Sequence, residues 1–421
     1  MNKILSAIFI LAVGLLSASA QDETFDSTMT EMRLNPEIEA GDTLLPTDYS
    51  VYPFIKPDKN KIDLNGDDWS ELARKFEAAK EGLEKFSVVY LGDSHIQADF
   101  GGDILRQRLA AASRYAGRGL IIPFKIAGTN QPLDYKFSTS SPVTTSKLMR
   151  TPWATEMTFT GIGLQPSGHR YTLEFSSPAP TRRLRLHTRG TPPGPTELLA
   201  DGRTVDFTAR TDSDGLTVIE IPYSAYDFKL TAKGDKTTVY GGIELISDST
   251  GTVVHSIGNN GATFSAYATI DRFGSELANL SPDLIIIALG TNEAFGRTTE
   301  ASLRNNIDVL LSSIRSFSPD AKILLVGPTD CYKRVYSRRK GRRRRTATTV
   351  PNPKAATMAR TIRQYAEKEG IPYYNHYAVA GSAAAMKNAK VLSRDGVHFT
   401  ATGYRLWGNL LSDAILKQLQ P

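Results

Sequence analysis

Four short apolar runs that stop at turn residues, FSVVYL (86–91), VVHSI (253–257), LIIIAL (284–289) and ILLVG (323–327), most constrain what this chain can fold into. A shorter fifth, IPYYN, occupies 371–375. A strand with one wet face alternates apolar and polar residues. Runs that are apolar almost throughout belong to strands covered on both faces, as in parallel sheets. Between them, helical spacing predicts helices over 67–85, near 265–280, over 300–316 and 353–369, and from about 402 to 419. Strands alternating with helices in this way define an α/β layer fold.

One stretch breaks the rhythm. From about 130 to 250 the chain shows short alternating segments such as YTLEF, RRLRLHT, LTVIEI and DFKLTA, separated by the turn clusters PAP, TPPGP, DSDG and KGDK. Closely spaced strands with such turns read as an all-β sandwich inserted between the first and second α/β strands. The organisation expected is therefore an irregular segment over 21–65, an α/β domain formed by 66–130 and 250–421, and a β insert over 131–249.

The first twenty residues read as a secretory signal. Lys3 precedes the apolar run ILSAIFILAVGLL, and Ser-Ala-Ser-Ala leads up to Gln21. No cysteine follows to carry a lipid, and no later segment is apolar for long enough to cross a bilayer, so a released or periplasmic protein is expected. The single cysteine, Cys331, excludes an intramolecular disulfide framework and a cysteine-rich metal cluster. With 40% hydrophobic and 22% charged residues the composition is globular and excludes disordered, collagenous and multi-span chains.

The formal net charge is +6, and it is local. Without residues 1–20, which contribute only Lys3, it is +5. Arg338, Arg339, Lys340, Arg342, Arg343, Arg344 and Arg345 supply seven positive charges, so the rest of that chain carries −2. A nucleic-acid-binding surface is not implied. The run reads as a solvated loop, or as a tether to an anionic envelope polymer.

Ligands of open parallel sheets gather outside the carboxyl ends of the strands, and polar sets fall at those ends here. LGDSH places Ser94 after the first strand, GNNGAT places Gly261 after the second, and ALGTNE places Asn292 after the third. SRDGVHFT puts Asp395 and His398 before the final helix. A serine hydroxyl needs a base to accept its proton, and His398 is the histidine placed to do so. Asp395 suits fixing that imidazole's tautomer. The N–H groups of Ser94 and Gly261, with the Asn292 side-chain amide, supply donors for an oxyanion. Asp93 suits holding the turn, and Glu293 suits either solvent or the lining of the site. His95 and His255 have no partner at ligand spacing and suit packing or hydrogen bonding; no cluster has metal spacing.

Gly92-Asp93-Ser94, Gly261, Gly290-Thr291-Asn292 and Asp395-Gly396-Val397-His398 together resemble the four blocks of the GDSL/SGNH hydrolases. The third block reads Gly-Thr-Asn-Glu, where many members have Asp after Asn, and His95 stands where leucine is usual. The resemblance implies a three-layer α/β/α sandwich with five parallel strands, a Ser94–His398–Asp395 triad, and an oxyanion hole of Ser94, Gly261 and Asn292, with no cofactor. GDSHIQAD, the GRGL segment near 118, HSIGNNGA, GTNEAF and the β insert resemble more narrowly the peptidoglycan O-acetylesterases. Their insert is a jelly roll similar to a carbohydrate-binding module. This implies a serine esterase acting on an O-acetylated glycan. Trp153, Tyr135 and Phe137 are then candidates for stacking on sugar rings, although such aromatics also suit a core. The same triad would serve an acetylesterase for plant or host polysaccharide, or a glycan O-acetyltransferase. A glycan-binding protein with an idle site is a further alternative.

Overall fold

The computed structural model describes residues 48–337 and 346–420. The expected signal over 1–20, the first part of the irregular segment and the basic run 338–345 lie outside the described residues. The first described strand, β1 (Ile62–Asp63), is followed by β2 (Lys85–Gly92), β3 (Gly251–Gly258), β4 (Leu284–Ala288), β5 (Lys322–Val326) and β6 (Tyr373–Tyr374). These form one sheet in the order β1-β6-β5-β4-β2-β3. Strands β2 to β6 run parallel, giving the five parallel strands expected, and β1 adds an antiparallel edge on β6.

The continuous apolar runs have a simple cause. Side chains alternate between two buried cores, one on each face of the sheet. Val89, Leu91, Ile285, Ile287, Ile323 and Leu325 join one core, whereas Phe86, Val88, Leu284, Ile286, Leu324 and Val326 join the other. On the second side lie α1 (Ser70–Lys80), α3 (Phe100–Ala112) and α6 (Ala401–Leu419), with the short α2 (Ser94–Gln97) preceding α3. Helices α4 (Glu300–Arg315) and α5 (Pro353–Glu369) cover the first. The pattern expected near 265–280 resolves into two short helices, Phe264–Ala268 and Phe273–Ala278, broken where Arg272 takes a left-handed φ of 58°.

The insert is an antiparallel ten-stranded sheet. It takes in Gly119–Ile121, which pairs with Val239–Ile246, so the sheet begins upstream of residue 131. Two long strands, Arg170–Arg189 and Thr217–Lys233, run through its centre with register shifts between residues 220 and 227. They bury Tyr171, Leu173, Leu184, Leu186, Ile219 and Leu230 in a third core. The insert is tied to the α/β layers by named bonds. Asn259 Nδ2 donates to Thr160 O at 2.9 Å, and Phe159 N donates to Glu276 Oε2 at 3.0 Å. Strands Tyr332–Ser337 and Thr346–Pro351, on either side of the basic run, pair antiparallel, and Tyr332 N donates to Gly396 O at 2.8 Å.

Candidate active site

The β2 strand ends at Gly92, where any side chain would collide with Ile96 and with the Ala288 carbonyl. Asp93 then turns the chain into α2 by capping it: its Oδ1 accepts from His95 N at 2.9 Å. That cap leaves Ser94 as the first residue of the helix, 9% exposed, at the carboxyl end of the sheet.

His398 arrives from the opposite end of the chain. Asp395 organises its loop, with Oδ1 accepting from Ser393 Oγ at 2.6 Å, Val397 N at 2.8 Å and His398 N at 3.0 Å. The other carboxylate oxygen, Oδ2, lies 2.6 Å from His398 Nδ1, and His398 Nε2 lies 2.8 Å from Ser94 Oγ. Burial alone would raise the Asp395 carboxyl, but the hydrogen bonds from His398, Ser393 and Val397 hold it well below the carboxylate range. An ionised Asp395 fixes the tautomer that keeps the proton on Nδ1, so that Nε2 accepts from the serine hydroxyl. The structure thus brings together residues 304 positions apart in one hydrogen-bonded series.

The three expected oxyanion donors are not equally free. Ser94 N and Gly261 N donate to nothing among the described residues, and Gly261 holds a left-handed φ of 79°. The Asn292 amide is engaged: Nδ2 donates to Ala262 O at 2.9 Å and lies 3.3 Å from Asp93 Oδ2. Turning one hydrogen toward an oxyanion means exchanging the longer of these contacts. The insert reaches this corner, because Met149 lies 3.6 Å from where a side chain on Gly261 would begin.

Two of the aromatic candidates do not meet a ligand. Tyr135 is 3% exposed, with its hydroxyl bonded to both backbone groups of Ile122, and Phe137 is 1% exposed against Phe175 in the insert core. Their faces pack on protein and are closed to a sugar. Trp153 is half-buried and donates from Nε1 to Leu148 O at 3.3 Å, closing the loop that carries Met149. His95 packs against the His398 ring at 5.2 Å and receives Tyr404 at 3.3 Å. Burial, then the neighbouring His398 imidazole, pushes its basicity well down, so it stays neutral. His255 is also buried and accepts from Leu120 N at 3.2 Å. A cavity of about 60 Å³ bordered by Asp93, His95, Thr291, His376 and Trp407 is separate from the reaction cleft, since neither Ser94 nor His398 lines it. Among the described residues no three His, Cys, Asp or Glu side chains are grouped to hold a metal.

One residue in the site was not assigned from the sequence. Glu293 is 1% exposed and accepts from Phe264 N at 2.8 Å. Burial, partly offset by that bond and reinforced by the nearby Asp93 charge, pushes its carboxyl up to about 7. Burial likewise raises Asp93 to about 6. The position of Glu293 directly after Asn292 was the only sequence signal.

A serine, an imidazole and a carboxylate in series at the strand ends of a parallel sheet form the arrangement that serine-dependent hydrolases use. Residues 231–406 match the GDSL-like lipase/acylhydrolase family, a span that includes Gly261, Asn292, Asp395 and His398. That part of the chain is thus similar to the GDSL-like hydrolases. A solved structure described as "Peptidoglycan O-acetylesterase in action" superposes with a TM-score of 0.67 at 21% identity, covering 85% of this chain and 99% of that one. The likeness extends over both the α/β layers and the β insert, and it is a likeness of fold. A lipase/acylhydrolase from Enterococcus faecalis is 23% identical over 41% of this chain and 79% of its own, with a TM-score of 0.29. No curated protein sequence matches.

Proposed function

We propose that the protein is a serine esterase that removes O-acetyl groups from peptidoglycan or a related extracellular glycan. The observation that carries this reading is the 2.8 Å and 2.6 Å series from Ser94 Oγ through His398 to Asp395. Ser94 Oγ attacks the acetyl carbonyl carbon while its proton passes to His398 Nε2. The tetrahedral oxyanion is held by the N–H groups of Ser94 and Gly261 and by the Asn292 amide. As the carbon–oxygen bond to the sugar breaks, the imidazolium returns the proton to the leaving hydroxyl, and the acetyl group stays on Ser94. Water, deprotonated by the same imidazole, then attacks and releases acetate. The chemistry needs no cofactor.

The glycan assignment is supported by the name of the similar solved structure and by the β insert beside the donor corner. Residues 1–20 support export, and no helix among the described residues is long and apolar enough to cross a membrane. The basic run 338–345 would add a tether to anionic envelope polymer, tested by low-salt sedimentation with that material after its deletion. The deciding experiment compares acetate release from O-acetylated peptidoglycan and acetylated xylan, with Ser94→Ala as control. Loss of about a millionfold in turnover is expected for that variant. Equal release by wild type and Ser94→Ala would overturn the esterase, preference for xylan would overturn peptidoglycan as the substrate, and an acetyl group moved to an added acceptor would mark a transferase.

A further inference from the structure

The backbone that carries Gly261 is gripped by two consecutive side chains from another loop. Asn292 Nδ2 donates to Ala262 O at 2.9 Å, and Glu293 Oε1 accepts from Phe264 N at 2.8 Å. These bonds bracket residues 262–264, immediately after the free Gly261 N–H. Phe264 opens a single helical turn whose own cap is Thr263, accepting from Ala266 N, so the Phe264 N–H would otherwise have no partner. The second carboxylate oxygen of Glu293, Oε2, is buried and has no hydrogen-bond partner. Leaving an oxygen so placed is costly.

We propose that Glu293 is a positioning residue that fixes the Gly261 donor relative to the Asn292 donor, so that both meet one oxyanion. The inference rests on the esterase reading above. It follows from lengths. A donor displaced by a fraction of an ångström forfeits much of its hold on the transition state, and misplacement near 1 Å costs about a hundredfold. Aspartate is one methylene shorter and does not span to Phe264 N without moving the loop. Glutamine keeps both the length and an accepting oxygen. The effect falls on the oxyanion and not on the bound ester, so it belongs in kcat and leaves KM nearly unchanged.

The test measures kcat and KM on an activated acetyl ester and on the acetylated glycan for wild type, Glu293→Gln, Glu293→Asp and Glu293→Ala. Each variant's affinity for a boronic acid that forms a tetrahedral adduct on serine is measured alongside. Glutamine is expected to stay within about threefold of wild type. Aspartate and alanine are expected to lose about 10- to 100-fold in kcat, and boronic acid affinity should fall in parallel. Aspartate and alanine within threefold of wild type, or glutamine as impaired as aspartate, would overturn the positioning role. If alanine does not fold, the Gln/Asp pair decides. A wild type that is inactive, or whose activity survives Ser94→Ala, overturns the esterase reading instead; the two failures are therefore distinct.

Discussion

Replacing Glu293 by glutamine is expected to change how the stability of the protein responds to pH. Burial of the carboxyl, with the charge of Asp93 facing it, moves its titration from 4.5 to about 7. Between those values the folded chain holds a proton that the unfolded chain has released. A carboxyl raised in this way contributes stability that is fully present below about 4.5 and is lost as pH rises through 7. At roughly 1.4 kcal/mol per pH unit the loss comes to about 3 kcal/mol. Glutamine has no such proton. The stability of Glu293→Gln relative to wild type therefore grows by about 3 kcal/mol between pH 4.5 and pH 8. Asp93 titrates in both proteins and largely cancels, apart from its coupling to Glu293. Denaturant midpoints at pH 4.5, 6 and 8 measure the difference directly, provided the slopes agree. An offset constant to within about 1 kcal/mol across that range would refute the reasoning, since it would mean that Glu293 titrates as a solvated carboxyl.

Three further outcomes are expected. Asp395→Asn, which keeps the loop bonds but can no longer fix the His398 tautomer, should lower kcat about ten-thousandfold with KM little changed, measured on acetyl esters. Phe137→Ala should cost about 3–5 kcal/mol in unfolding free energy and leave glycan affinity by calorimetry unaltered, because the ring is core. Asp99 accepts from Arg106 Nη2 at 2.8 Å and Arg118 Nη2 at 2.6 Å in full burial, so Asp99→Asn should destabilise by about 3–5 kcal/mol in chemical denaturation.

How far the sequence could be read depended on whether the signal was local. The apolar runs announced a parallel sheet because each of their residues is buried on one face or the other. Ser94, Asn292 and the pair Asp395 and His398 stood at strand ends or in a single turn, where the motif and its neighbours in space coincide. Where the partner lies far along the chain, reading stopped. Tyr135 and Phe137 stood open between a sugar platform and a core position, which the bonds of the Tyr135 hydroxyl to Ile122 and the packing of Phe137 on Phe175 decide for the core. Glu293 stood open between solvent and the lining of the site because its partner, Phe264, is 29 positions earlier. The strands Ile62–Asp63 and Gly119–Ile121 are too short to show any period, so the edge of each sheet was invisible. Asp99 of GDSHIQAD and Arg118 of GRGL had no physical reading in the sequence; in the fold they are ion-paired.

Covalent trapping tests the central claim most directly. The protein is treated with a fluorophosphonate at neutral pH, and the labelled peptide is mapped by mass spectrometry. The account predicts a single adduct on Ser94 in wild type, with labelling slowed by orders of magnitude in His398→Ala. An adduct on another residue, or one on Ser94 that forms equally fast without His398, would contradict it.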